Sequence, residues 1–109
     1  MTQSELYTIL KATGYPVAYS HFTATTNNPL PTPPYIIYLS AYSSNLKADN
    51  KVYAKVDNLQ IELYTVKKDL IAEKKLEDLL DTNEIAYEST EIWIDSEKLF
   101  QKIYEVRLV

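Results

Sequence analysis

The chain has 109 residues, no cysteine, a formal net charge of −4, and a composition that is 46% apolar and 24% charged. This is the length of a single domain, residues 1–109, with one core; it excludes disulfides and thiolate metal sites. The acidic balance argues against a dominant phosphate-backbone interaction, so no specific nucleic-acid partner is expected, and no apolar run is long enough to span a bilayer.

Thr2 and Glu5 have capping-box spacing, and Leu6, Ile9 and Leu10 form an i, i+3, i+4 stripe, so a short helix opens the chain. Gly14, the only glycine, stands where a left-handed residue closes a helix, and Pro16 follows it. Val17 to Phe22 reads as a short edge strand. Asn27 to Pro34 carries Pro29, Pro31, Pro33 and Pro34 and cannot be regular. It is expected to be a stiff, polyproline-like connector; the other use of such a segment is recognition by an aromatic-lined groove.

Tyr35 to Tyr42 alternates as a strand that is apolar on both sides. Ser43 to Asn50 is expected to be a polar hairpin loop with Leu46 exposed in its middle. The organising stretch is Lys51 to Lys67. Val52, Ala54 and Val56 share one side, then Leu59, Ile61, Leu63 and Thr65 do. The parity changes at Asp57-Asn58, which calls for a β-bulge or a tight turn there.

Asp69 to Leu80 is the best helix, with Asp69 as N-cap and Ala72, Leu76, Leu79 and Leu80 on its apolar face. Its charged residues read as a solvated face, and Asn83 as a left-handed cap. Ile85 to Ile94 is a strand with an irregularity near Glu88-Ser89. Leu99 to Val109 is the last strand, with Phe100, Tyr104, Val106 and Leu108 on one face.

The expected fold is α+β: a four-stranded, mainly antiparallel sheet with two helices on one face, in the order αββαββ, with room for an extra short edge strand before the proline loop. That order is a circular permutation of the ferredoxin-like βαββαβ order. Leu76 and Leu79 should pack on Ile61 and Leu63. The other face of the sheet should be rich in tyrosine.

Chemistry-bearing patterns are scarce. One glycine excludes Gly-rich phosphate loops. His21 is the only histidine, and no motif ties it to Ser20 or Ser40 and a carboxylate. Glu77 and Asp81 have helical spacing on what reads as a wet face. No enzyme activity, catalytic residue, metal or cofactor is expected.

Four blocks, SELYTILKATGYPVAYSHF, PPYIIYLSAYSSNLKADNKVY, NLQIELYTVKKDLIAEKKLEDLL and YESTEIWIDSEKLFQKIYEVRLV, cover nearly the whole chain. In that order they resemble the small tail-completion proteins of bacteriophages with long non-contractile tails, found in phages and prophages of Gram-positive hosts. The resemblance implies an α+β fold and a tail-terminator or tail-to-head joining role. It also implies a homo-hexameric ring at the head-proximal end of the tail, with the major tail protein and the head connector protein as partners. It places the protein in the virion tail after synthesis in the host cytoplasm. It brings no catalytic residue.

A ring subunit needs two different contact patches. The candidates are the sheet tyrosines Tyr38, Tyr42, Tyr53 and Tyr64 and the hairpin residue Leu46. Two rival classes are weaker. A small acidic protein-binding module, such as an inhibitor or DNA mimic, needs clustered carboxylates, whereas acids and bases here are interspersed. A nucleic-acid-binding ferredoxin-like domain needs basic residues around exposed aromatics, and they are too few and too mixed.

Overall fold

The computed structural model describes residues 1–23, 30–48 and 51–108, with the side chains of 42–48 and 51–56 left out. Helix α1 (Gln3–Lys11) starts at Thr2, whose hydroxyl oxygen accepts from the Glu5 backbone N–H at 3.1 Å. The reciprocal bond runs from the Thr2 hydroxyl to the Glu5 carboxylate at 3.2 Å, in place of the Thr2 amide that a capping box uses. Gly14 takes φ +85°, the left-handed conformation expected of it.

Five strands follow: β1 (Val17–Tyr19), β2 (Tyr35–Ala48), β3 (Lys51–Thr65), β4 (Tyr87–Ile94) and β5 (Leu99–Leu108), with helix α2 (Leu70–Thr82) between β3 and β4. They form one sheet in the order β1-β2-β3-β5-β4. All neighbours are antiparallel except β1 and β2. The sheet is therefore five-stranded and mixed, where four mainly antiparallel strands were expected. The edge strand before the proline loop is real, but it ends at Tyr19 and is parallel to its neighbour. Ser20, at φ +68°, turns the chain away after three residues. The units β3, α2 and β4 make a split βαβ with β5 between the two parallel strands, the arrangement that the permuted ferredoxin-like order calls for.

Both helices lie on one face of the sheet. Leu6 and Leu10 of α1 and Ala72, Leu76 and Leu80 of α2 share a core with Ile36, Leu59, Ile61, Leu63, Tyr104, Val106 and Leu108. The strand residues of this core are the alternate positions of one pleated face. Leu79 is only half-buried, and Leu80 takes the enclosed place expected of it.

Asp69 caps α2 as expected, with its carboxylate accepting from the Ala72 N–H at 3.0 Å. Asn83 is not left-handed; it has φ −92°, and Glu84 takes the positive φ of 56°. Asn83 instead donates its side-chain N–H to the Leu79 carbonyl at 2.8 Å.

Three further expectations fall differently. Ser43–Ala48 continues β2 and pairs with Lys51–Asp57, so most of the expected loop is strand. The register break expected in β3 at Asp57-Asn58 is not there; the nearest one lies opposite the Asn58-Leu59 step, with Ala41 of β2 as the extra residue. On its other side β3 runs past Asp57 and Asn58 against β5 without a break. The irregularity expected near Glu88-Ser89 is absent, because β4 pairs with β5 without interruption from Tyr87 to Ile94.

Candidate functional site

Two features are left over once the core is built. The first is the face of the sheet opposite the helices. By strand register it carries Tyr35, Ile37 and Leu39 of β2, Gln60, Glu62 and Tyr64 of β3, Gln101, Ile103, Glu105 and Arg107 of β5, and Glu88, Thr90 and Ile92 of β4. Neither helix covers it, yet Glu62 at its centre is only 9% exposed. The neighbours Ile37 and Ile103 flank it on the adjacent strands. Gln60 Nε2 donates to Glu62 Oε2 at 2.7 Å, and the Tyr64 hydroxyl donates to Glu62 Oε1 at 2.9 Å. Gln101 Nε2 in turn donates to the Tyr64 hydroxyl at 2.8 Å. Among the described residues no cation pairs with Glu62.

The aromatic side of this face is ordered. Tyr35 stacks on Tyr64 at 5.0 Å between ring centroids, and Phe22 meets Tyr35 edge-on at 5.4 Å. Burial, and then the hydrogen bond to Glu62, push the Tyr64 hydroxyl pKa well above the usual tyrosine value. Burial also raises Tyr35, helped by the charge of Glu97. Leu30, Pro31 and Pro33 lie against this corner and close a cleft of about 450 Å³ with Phe22, Tyr35 and Leu99.

The second feature is the hairpin. On the outer side of β2, pairing with β1 stops at Tyr38, and the pairing of β3 with β5 begins at Asp57. Residues 44–48 and 51–56 therefore pair only with each other among the described residues. They form a two-stranded arm beyond the body of the sheet. The radius of gyration, 15.3 Å, exceeds the ~13 Å of a compact chain of this length, and the long axis is 50 Å. A bulge at Ala41 lies at the root of the arm, and a second, at Tyr53, lies within it.

The expected contact residues divide accordingly. Tyr64 lies on the open face. Tyr38 does not: it is 9% exposed on the helix side, with its ring 6.1 Å from Tyr7 and 5.2 Å from Tyr19. The side chains of Tyr42, Leu46 and Tyr53 lie outside the described residues, although their backbone places them on the arm or at its root. At the end of the sheet away from the arm, Val66, Leu70 and Ile71 are each at least 60% exposed, and Trp93 packs on Phe100 at 4.7 Å.

Sequence reasoning missed Glu62. Glu62 alternates with Ile61 and Leu63 and so falls on the opposite side of the strand from the core set, and nothing local reports that Ile37 and Ile103 will flank it. Two helical acids were misread in the same way. Glu73 is buried, with Lys68 at 2.9 Å and Lys102 at 3.1 Å. Glu77 accepts from the hydroxyls of Tyr104 at 2.7 Å and Tyr87 at 3.3 Å, and so tethers α2 to the sheet. Lys102 and Tyr104 of β5 and Tyr87 of β4 reach these acids from strands that follow the helix, while Lys68 is a local partner.

His21 is exposed beside Ser20, and among the described residues no carboxylate hydrogen-bonds its ring. No three His, Asp or Glu side chains among the described residues converge as a metal site, and no described helix is long and apolar enough to cross a membrane. The geometry offers surfaces for docking. No known family model matches the chain, and no curated protein matches it.

Proposed function

We propose that this chain is a virion structural protein: a tail-terminator or tail-to-head joining subunit that forms a homo-oligomeric ring at the head-proximal end of a phage tail. The whole-chain resemblance to phage tail-completion proteins motivates the reading. The observation that carries it is the pairing, in one small subunit, of an uncovered sheet face with a projecting arm. A ring requires two unlike surfaces on each copy, and these two are unlike and point away from the core. The exposed Val66, Leu70 and Ile71 at the opposite end supply a further surface, suited to an axial neighbour such as the major tail protein or the head connector.

Light scattering on the purified protein over a wide concentration range tests the assembly part of this reading. The expected result is a mass that rises to that of a hexamer. A mass fixed at one chain at every concentration, including in the presence of tail tubes, would contradict it.

A further inference from the structure

The arm and the uncovered face differ in charge. Residues 43–56 hold Lys47, Lys51 and Lys55 against Asp49, a net of +2 in a chain whose total is −4, which leaves −6 on the rest. The open face carries Glu62, Glu88 and Glu105 against Arg107. Glu88 and Glu105 stand directly opposite each other, an unfavourable like-charge pair. Glu62 is nearly enclosed, has two neutral donors and has no cation beside it among the described residues. A carboxylate in that position gains from an arriving ammonium group, because most of its desolvation has already occurred.

The arm has its own deficit. Among the described residues it pairs with no third strand, and a two-stranded ribbon alone is marginally stable in water. It is an extension of β2 and β3 and so cannot fold back onto the face those same strands form. A ribbon is roughly 10 Å wide, since strands lie about 4.8 Å apart, and the five-stranded face can seat it.

We infer that the β2–β3 arm of one copy docks on the helix-free sheet face of a second copy and brings a lysine to Glu62. The inference rests on the reading of the chain as a self-assembling subunit and names the contact. Arm and face are different patches, so the contact is head-to-tail and passes from copy to copy until it closes.

The lack of native cysteine makes the test direct. Lys51→Cys and Lys55→Cys on the arm are each mixed with Ile103→Cys on the open face, or with Lys74→Cys on the exposed side of α2 as control. Under mild oxidation, disulfide-linked dimers are expected in an Ile103→Cys mixture and in neither Lys74→Cys mixture. In parallel, Glu62→Gln, which keeps an acceptor for Tyr64, should weaken self-association by about tenfold or more while the circular dichroism spectrum is unchanged. Oligomers that form without any cross-link to Ile103→Cys overturn the arm contact and leave the ring reading standing. Cross-links to Ile103→Cys in a protein whose mass by light scattering stops at two copies support the contact and remove the ring. Monomers at every concentration, with no cross-link, overturn both the contact and self-assembly.

Discussion

Tyr104 is fully buried, with its ring edge-on to Tyr87 at 5.4 Å and its hydroxyl donating to Glu77. Burial, and then the hydrogen bond and charge of Glu77, hold its pKa far above the usual tyrosine value. A raised pKa contributes stability that is complete below the unfolded value, near pH 10, and declines above it. There the unfolded chain loses a proton that the folded chain keeps, at about 1.4 kcal/mol per pH unit. Tyr104→Phe should lower stability near neutral pH by about 1 kcal/mol, and should flatten the alkaline decline between about pH 10 and 11. Urea unfolding across that range checks this; parallel profiles for the two proteins would show that Tyr104 ionises freely. The tyrosine was legible as a core residue of the last strand. Its hydroxyl partner was not, because Glu77 sits 27 positions earlier and reads, by helical spacing alone, as a solvated acid.

At the scale of elements, α2 shows how far periodicity reaches. Its N-cap and apolar stripe follow from local spacing, and Asp69, Ala72 and Leu76 stand as that spacing predicts. The choice between Leu79 and Leu80 for the enclosed position depends on how the helix is rotated against β3 and β5, which no local pattern encodes. Leu80→Ala should cost ~2–5 kcal/mol, as expected for a leucine with no exposed surface, and Leu79→Ala clearly less. Chemical denaturation of the two variants checks the order; equal losses would mean the helix sits rotated from the orientation described. Strand pairing was legible in the same partial way. The change of parity at Asp57-Asn58 called for a register break in β3, but the nearest extra residue belongs to the partner strand, at Ala41. A bulge in β2 does not turn the side chains of β3, and β3 pairs with β5 without a break there, so the parity change in β3 is not explained by it.

On the scale of the whole molecule, the fold separates two jobs. One face of the sheet, with both helices, makes the core. The opposite face lies outside that core, and the arm extends β2 and β3 beyond it. The sequence signalled a tyrosine-rich second face, and Tyr35 and Tyr64 are there, while Tyr38 belongs to the helix side. It did not signal the arm, because Ser43 to Asn50 has the polar composition of a loop, and only the pairing of residues 43–48 with residues 51–57 makes that part strand. The central claim is that the protein completes a phage tail. Electron microscopy of lysates from the phage or induced prophage that carries the gene, with the gene deleted, tests it most directly. Full heads and separate tails are expected, the tails irregular in length, with joined particles restored by supplying the gene in trans. Joined virions of normal number and tail length from the deletion would contradict it.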